Sequence, residues 1–183
     1  DFCLSRGLGD VYKRQANGTL VTLDAGLLSG LEKTVSLTAV LEDVAGNVSA
    51  ASSTLQVLVD SSVQAPGIGL IGSDDRLSKA EVDALSGTGA AITLSNIEAG
   101  AIVSARIVQT VSGVTSQTTL PVSTLSGGGL GVTAQALGSA VSSLQDGVWT
   151  LQVTQTDLAG NVSAVSSRAV AMDRVVPNAP GLV

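Results

Sequence analysis

Residues 43–53 read Asp-Val-Ala-Gly-Asn-Val-Ser-Ala-Ala-Ser-Ser, and residues 157–167 read Asp-Leu-Ala-Gly-Asn-Val-Ser-Ala-Val-Ser-Ser. Nine of the eleven positions are identical at an offset of 114 residues, and the same offset relates the Ala-Pro-Gly sequences at 65–67 and 179–181. Self-similarity at a fixed period indicates an array of similar modules. A period of this length is too long for a helical solenoid repeat, and it suits a whole β-sandwich domain.

The repeat predicts the domain organisation of the chain. We expect the C-terminal half of one module at residues 16–60 and a linker at 61–65. A complete module should follow at 66–173, and residues 174–183 should be the linker to a further module. The chain is therefore interpreted as a fragment of a longer gene.

Alternation of apolar and polar residues predicts strands before each copy of the repeated segment. Val35 and Leu37 alternate with Thr and Ser in the first module, and Trp149, Leu151 and Val153 do the same in the second. Within the complete module we predict strands at 67–71, 90–96, 101–111, 114–121, 132–137, 148–156 and 165–172. The only helical candidate is 77–85, which begins with the spacing of a capping box. The predicted fold class is all-β, with Ig-like β-sandwich modules in tandem.

We expect the first fifteen residues to have a different origin from the rest of the chain. Residues 5–15 read Ser-Arg-Gly-Leu-Gly-Asp-Val-Tyr-Lys-Arg-Gln, which resembles the in-frame translation of a transposase-type sequencing adapter. We therefore interpret residues 1–15 as an adapter-derived artefact and exclude them from fold reasoning. They contain the only Cys, Phe and Tyr of the chain, so Trp149 is the single aromatic residue of the remainder.

The composition of this chain of 183 residues excludes several kinds of function. It has no histidine and one cysteine, which removes histidine-based acid–base chemistry, Ser-His-Asp and Cys-His nucleophile systems, and zinc sites with nitrogen or sulfur ligands. A net charge of -6 argues against a nucleic-acid partner, because phosphate binding needs clustered Lys and Arg. No apolar run reaches the roughly 20 residues that cross a bilayer. We therefore expect no enzyme activity, no nucleic-acid partner and no membrane span.

Several motifs follow one another in the same order in both modules. Asp-x-Ala-Gly-Asn follows a strand, the next strand ends in Asp60 or Asp173, and an Ala-Pro linker comes after it. The complete module adds an acidic segment at 73–81 and the sequence Leu-Gln-Asp-Gly-Val-Trp at 144–149. This order resembles the bacterial Ig-like domains that repeat in large surface adhesins and biofilm-associated proteins, and the resemblance covers residues 16–183. It implies an extracellular location on the bacterial cell surface.

Oxygen-bearing side chains are expected to meet at the two ends of an Ig-like sandwich. The loop between the last two strands should lie at the end where the chain enters, and the last strand should finish at the opposite end. The first predicted group, at the junction between modules, comprises Asp60, Asp157, Asn161 and Glu32. The second predicted group, at the opposite end, comprises Asp74, Asp75, Asp146 and Asp173. These residues are our candidate ligands for calcium, which takes six to eight oxygen ligands and would stiffen the joint between modules.

Simpler interpretations of the same residues remain open. Asp and Asn at turns often accept hydrogen bonds from their own backbone, with no ion involved. Trp149 shares a strand face with Leu151 and Val153, which favours a core residue over a surface on which a sugar could stack.

The sequence leads to one functional prediction and one alternative. We expect a non-catalytic Ig-like repeat of a large bacterial surface protein, acting as a spacer in cell adhesion or biofilm formation and stiffened by calcium. Its partners would be the adjacent Ig-like modules, and the adhesion ligand would be bound elsewhere in the protein. The alternative is an accessory Ig-like module of a secreted polysaccharide-degrading enzyme. The number of module copies in the complete gene distinguishes the two.

Overall fold

The computed structural model describes residues 2–5, 11–14, 25–28 and 32–181. The chain forms two compact units, Asp1–Ser62 and Val63–Val183. The division between them falls within the linker that the repeat predicts at residues 61–65. Each unit is built mainly from β-strands, so the predicted all-β class is confirmed.

Unit 1 contains one four-stranded sheet within its described residues. Its strands are β1 (Phe2–Ser5), β2 (Val11–Arg14), β3 (Lys33–Leu41) and β4 (Leu55–Val59), and a short 3-10 helix spans Ala25–Leu28. The strand order is β2-β1-β3-β4, and the successive pairs are antiparallel. Val35 and Leu37 are buried on one face of β3, which confirms the alternation predicted for this strand. The segment interpreted as adapter-derived, residues 1–15, contains both β1 and β2.

Unit 2 is built from two sheets. The strands of the first, in spatial order, are β10 (Ser123–Thr124), β11 (Leu130–Thr133), β7 (Ala90–Ser95) and β5 (Gly67–Ile68). Those of the second are β6 (Arg76–Ser78), β13 (Ser166–Asp173), β12 (Gly147–Thr156), β8 (Ile102–Val111) and β9 (Val114–Leu120). The strands of unit 2 are therefore distributed between two sheets, as in a β-sandwich.

The core of unit 2 lies between its two sheets. Ile92 and Val132 face it from one sheet, and Ile107, Leu151 and Val170 face it from the other, each with 0% of its surface exposed. Trp149 belongs to the same cluster and is 1% exposed, so its interpretation as a core residue is confirmed. Because aliphatic residues fill most of this core, hydrophobic burial at about 25 cal/mol per Å² stabilises the unit.

Two short helices connect strands of unit 2. The predicted helix forms as α1 (Lys79–Asp83), and its capping box pairs Ser78 with Glu81. The strand predicted at 132–137 is wrong in its second half, because β11 ends at Thr133 and α2 (Ala134–Val141) follows. The Thr133 hydroxyl accepts a hydrogen bond from the Ala136 backbone N–H, which caps α2. Buried residues of α2 and the turn after it, Leu137, Val141 and Leu144, have helical spacing rather than the strand alternation that we expected.

The last strand lies one residue further from the repeated segment in unit 1 than in unit 2. Val35 pairs with Val57 in unit 1, and its equivalent Trp149 pairs with Val170 in unit 2. The two partner residues, Val57 and Val170, are 113 positions apart, whereas the repeated segments are 114 positions apart. Unit 1 therefore has one additional residue between the repeated segment and β4. This shift keeps apolar residues on the inner face of both last strands, and it makes Asp60 and Asp173 equivalent.

Candidate functional site

The repeated segment forms a tight corner after β12. The Asp157 backbone N–H donates to the Asn161 carbonyl oxygen at 3.0 Å, and the Gly160 N–H donates to the Asp157 carbonyl oxygen at 3.3 Å. One Asp157 carboxylate oxygen accepts the Asn161 backbone N–H at 2.8 Å, and the other accepts the Asn161 side-chain amide at 2.7 Å. Gly160 has φ +95°, a left-handed conformation that favours glycine. Asp157, Gly160 and Asn161 therefore each have a role in closing the corner.

Unit 1 forms the same corner after β3. The Asp43 carboxylate accepts the Asn47 backbone N–H at 2.9 Å and the Asn47 side-chain amide at 2.8 Å. Gly46 has φ +88°, close to the value at Gly160. The two copies of the sequence thus fold into the same hydrogen-bonded structure, and the Asp side chains bond to their own turns as the simpler interpretation proposed.

A serine extends the corner in both units. The Ser163 hydroxyl accepts the Gln155 backbone N–H at 3.0 Å and donates to the Ala164 carbonyl oxygen at 2.9 Å. In unit 1 the Ser49 hydroxyl accepts the Leu41 N–H at 2.9 Å and donates to the next carbonyl oxygen in the same way. In each unit the serine hydroxyl replaces a backbone hydrogen bond of the strand ladder, at the point where the chain turns away from the neighbouring strand. This explains why the identity continues past the turn itself.

Both corner aspartates have lowered pKa values. For Asp157, burial raises the pKa, but the hydrogen bonds from Asn161, Gly160 and Ala159 outweigh it and lower the pKa below 3.8. For Asp43, the Asn47 side chain contributes most to the lowering, followed by the Asn47 backbone N–H. Both carboxylates are therefore negatively charged at neutral pH.

A buried glutamine organises the end of the sandwich where the chain enters unit 2. Gln155 is 1% exposed, and its amide nitrogen donates to the Gln64 carbonyl oxygen at 2.7 Å and to the Asn96 carbonyl oxygen at 2.8 Å. Its amide oxygen accepts the Glu98 backbone N–H at 3.0 Å. Gln155 thus joins the incoming segment and the β7–β8 loop to β12. Within unit 2, the corner and the incoming chain lie at the same end, as the topology predicted.

Glu98 is the functional candidate that the sequence did not indicate. A carboxylate oxygen of Glu98 lies within 4.8 Å of one of Asp157. Two carboxylates at this separation repel each other, and a hard divalent cation such as Ca²⁺ relieves that repulsion by binding oxygen from both. A loop glutamate carries no distinctive local pattern, and the hydrogen bond from its backbone N–H to the Gln155 side chain holds its loop against β12.

The remaining junction candidates of the sequence lie at one end of unit 1. Lys33 pairs with Val59, so Glu32 and Asp60, the residues flanking this pair, are at the same end of the β3–β4 ladder. The Glu32 carboxylate accepts the Ser61 backbone N–H at 3.1 Å and the Ser61 hydroxyl at 2.6 Å. Asp60 is half-buried directly after β4. Within unit 1, these two acidic residues therefore lie at the same end of the sheet.

The four candidates at the opposite end of unit 2 are not brought together. Asp75 forms an ion pair with Arg168 at 2.5 Å, and Asp146 forms one with Arg174 at 2.6 Å. The Arg174 side chain contributes most to lowering the pKa of Asp146. Asp74 accepts the backbone N–H of Arg76, and Asp173 accepts that of Val175. Within residues 32–181, none of these carboxylates belongs to a group of three or more acidic residues with metal-ligand spacing.

The fold and the repeated corner define the class of the chain, which consists of all-β modules carrying the same corner between their last two strands. None of the helices in the described part of the chain has the length and apolar character needed to cross a bilayer.

Comparison with known proteins identifies similar structures but no family. No family model and no curated protein sequence matches the chain. One similar solved structure is a tetra-tandem repeat in the extending region of a large adhesion protein, with 16% identity, a TM-score of 0.39, and coverage of 94% of this chain and 41% of that one. Another comes from a 1.5-MDa bacterial ice-binding adhesin, with 18% identity, a TM-score of 0.38, and coverage of 95% and 53%. The chain therefore spans about half or less of the length of these two solved chains.

Proposed function

We propose that this chain is part of a non-catalytic, extracellular Ig-like repeat array of a large bacterial surface protein, where it acts as a spacer in adhesion or biofilm formation. The observation that carries the proposal is the recurrence of one corner, with the same hydrogen bonds and the same left-handed glycine, in two successive units. A spacer needs many similar modules that each fold around their own core. Unit 2, with its two-sheet core, satisfies that requirement.

Calcium is the ion that we propose for the end of unit 2 that carries the corner. Support comes from the Glu98 and Asp157 carboxylates, which lie within 4.8 Å of each other, and from the lowered pKa of Asp157. Both are oxygen donors, which fits Ca²⁺ better than a transition metal. Bound calcium would stiffen an array at the millimolar concentrations found outside cells.

Thermal unfolding of the full chain with and without calcium tests the ion. A site with a dissociation constant of about 10⁻³ to 10⁻⁴ M would stabilise the fold by about 1.4 to 2.7 kcal/mol at roughly 10 mM calcium. We expect the stabilisation to disappear in a Glu98→Gln/Asp157→Asn double variant and to persist in an Asp83→Asn variant, because Asp83 is an exposed carboxylate on α1. Magnesium at the same concentration controls for ionic strength. An unchanged melting temperature in calcium would rule out this part of the proposal.

The spacer role is tested by the complete gene and by the length of its product. We expect many further modules with the Asp-x-Ala-Gly-Asn corner, and we expect shortening of the array in the native host to reduce attachment while leaving surface export intact. One or two copies beside a catalytic domain would instead identify an accessory module of a secreted enzyme. Attachment that does not depend on array length would contradict the spacer role.

A further inference from the structure

The repeat makes β3 of unit 1 equivalent to β12 of unit 2. In unit 2, β12 lies between β13 and β8, and β8 continues into β9 as a hairpin. In unit 1, β3 lies between β4 and β1, and β1 pairs in turn with β2. The β1–β2 pair of strands therefore occupies the position that the β8–β9 hairpin has in unit 2.

The two pairings also agree in direction and register. Leu4 pairs with Ala39 in an antiparallel ladder, and Ala105 pairs with Val153, the residue equivalent to Ala39, in another. The four residues of β1 read Phe-Cys-Leu-Ser, and the equivalent residues 103–106 read Val-Ser-Ala-Arg, with no identity. Two unrelated sequences thus pair with the same edge in the same way. The two pairings have in common the backbone of the strand that is paired with, which is β3 in unit 1 and β12 in unit 2.

The hydrogen bonds of β3 show which backbone groups this edge offers. The Ala39 and Leu41 N–H groups donate to the hydroxyls of Ser52 and Ser49, on the side of β4. Because N–H groups alternate in direction along a strand, those of Thr38 and Val40 point towards the opposite edge. In the structure β1 pairs with this edge, and an edge that presents such N–H groups is a template for pairing with another strand.

We propose that the edge of β3 opposite β4 is an acceptor site for an antiparallel β-hairpin, and that its proper occupant is a hairpin of the β8–β9 type. The β1 strand covers only four positions of β3, whereas β8 pairs with seven positions of β12. In unit 2, β8 also places the buried Ile107 opposite Leu151, whose equivalent in unit 1 is the buried Leu37. A β8–β9 hairpin would thus place an apolar residue opposite Leu37, a position of β3 with which β1 does not pair.

Amide hydrogen exchange on the full chain tests this acceptor site. A Cys3→Pro/Ser5→Pro variant removes the two N–H groups through which β1 pairs with Thr38 and Val40. We expect exchange at Thr38 and Val40 to accelerate on the order of tenfold or more in this variant. Addition of a synthetic peptide of residues 101–121 in large molar excess should restore the slow exchange at both amides. A Leu4→Ala variant, which keeps the backbone of β1, is the matched control and should exchange like the parent chain.

A second peptide distinguishes strand pairing from non-specific binding. In unit 2, Arg106 pairs with Gln152, the equivalent of Thr38, so an Arg106→Pro peptide lacks a donor needed at this edge. It should fail to restore slow exchange. The proposal is overturned if the amides of the proline variant stay protected, if the parent peptide does not slow their exchange, or if both peptides slow it equally.

Discussion

Replacement of Gln155 by leucine should destabilise unit 2 without changing the volume of its core appreciably. The side chain is 1% exposed and makes three hydrogen bonds to backbone groups, at 2.7, 2.8 and 3.0 Å. Leucine keeps the apolar contacts but leaves the Gln64 and Asn96 carbonyls and the Glu98 N–H without these bonds. At about 1 kcal/mol for each lost bond, the expected cost is about 3 kcal/mol. For a domain of this size, that lowers the melting temperature by roughly 12 °C.

A glutamate at the same position separates the donor from the acceptor role of the amide. In Gln155→Glu the oxygen that accepts the Glu98 N–H is kept, but the second oxygen faces the Gln64 and Asn96 carbonyl oxygens. Desolvation and the nearby Asp157 should raise the pKa of this carboxyl. We expect the glutamate variant to be less stable than the leucine variant at neutral pH and to recover part of the loss as the pH falls and the carboxyl becomes protonated. Chemical denaturation at several pH values measures both effects.

Gln152→Leu is the matched control on the same strand. Gln152 lies on the outer face of β12, where its side chain accepts one hydrogen bond from Arg106 at 2.9 Å. Its replacement should cost about 0.5 kcal/mol or less. The reasoning is refuted if Gln155→Leu unfolds within about 4 °C of the parent, or if the two leucine variants lose equal stability.

Other substitutions test the core, the close contacts and the corner of unit 2. Leu151→Asp places an unpaired charge at a position with 0% exposure and should prevent folding of unit 2, which circular dichroism would show. A soluble variant with an unchanged melting temperature would refute the strand assignment. Gly131→Ala would bring a Cβ into the Ile92 carbonyl oxygen and should lower the free energy of unfolding by about 1 to 3 kcal/mol. Gly129→Ala is the control, because a Cβ there has nothing within 4 Å, and its urea midpoint should equal that of the parent within error. Because the pKa of Asp157 is lowered from 3.8, its charge stabilises the fold above about pH 4 and loses this effect as the pH falls through the folded-state pKa. The difference in melting temperature between the parent and Asp157→Asn should therefore be largest near neutral pH and shrink as the pH falls through the lowered pKa. A difference that grows on acidification would contradict the lowered pKa.

Features encoded by residues close in the chain could be predicted from the sequence. The strand around Val35 and Leu37, the capping box at Ser78 and the corner at Asp157 are each indicated by a sequence pattern that spans only a few positions. Strand alternation and turn hydrogen bonds recur wherever the same short sequence pattern occurs. The comparison of residues 43–53 with residues 157–167 therefore indicates a repeated module. The helix α2 was missed because its apolar spacing was interpreted as a continuation of β11.

The sequence by itself determined the modular repeat, the all-β class, the burial of Trp149 and the identity of the corner residues. The tertiary structure alone decided which distant groups meet. Glu98 lies beside Asp157 because Gln155 binds the loop that carries it, and Asp75 and Asp146 are neutralised by arginines far along the chain. The physical reason is that a carboxylate accepts hydrogen bonds from whichever donors the packed sheets bring within reach. That choice depends on sheet pairing across tens of residues, which no local pattern records.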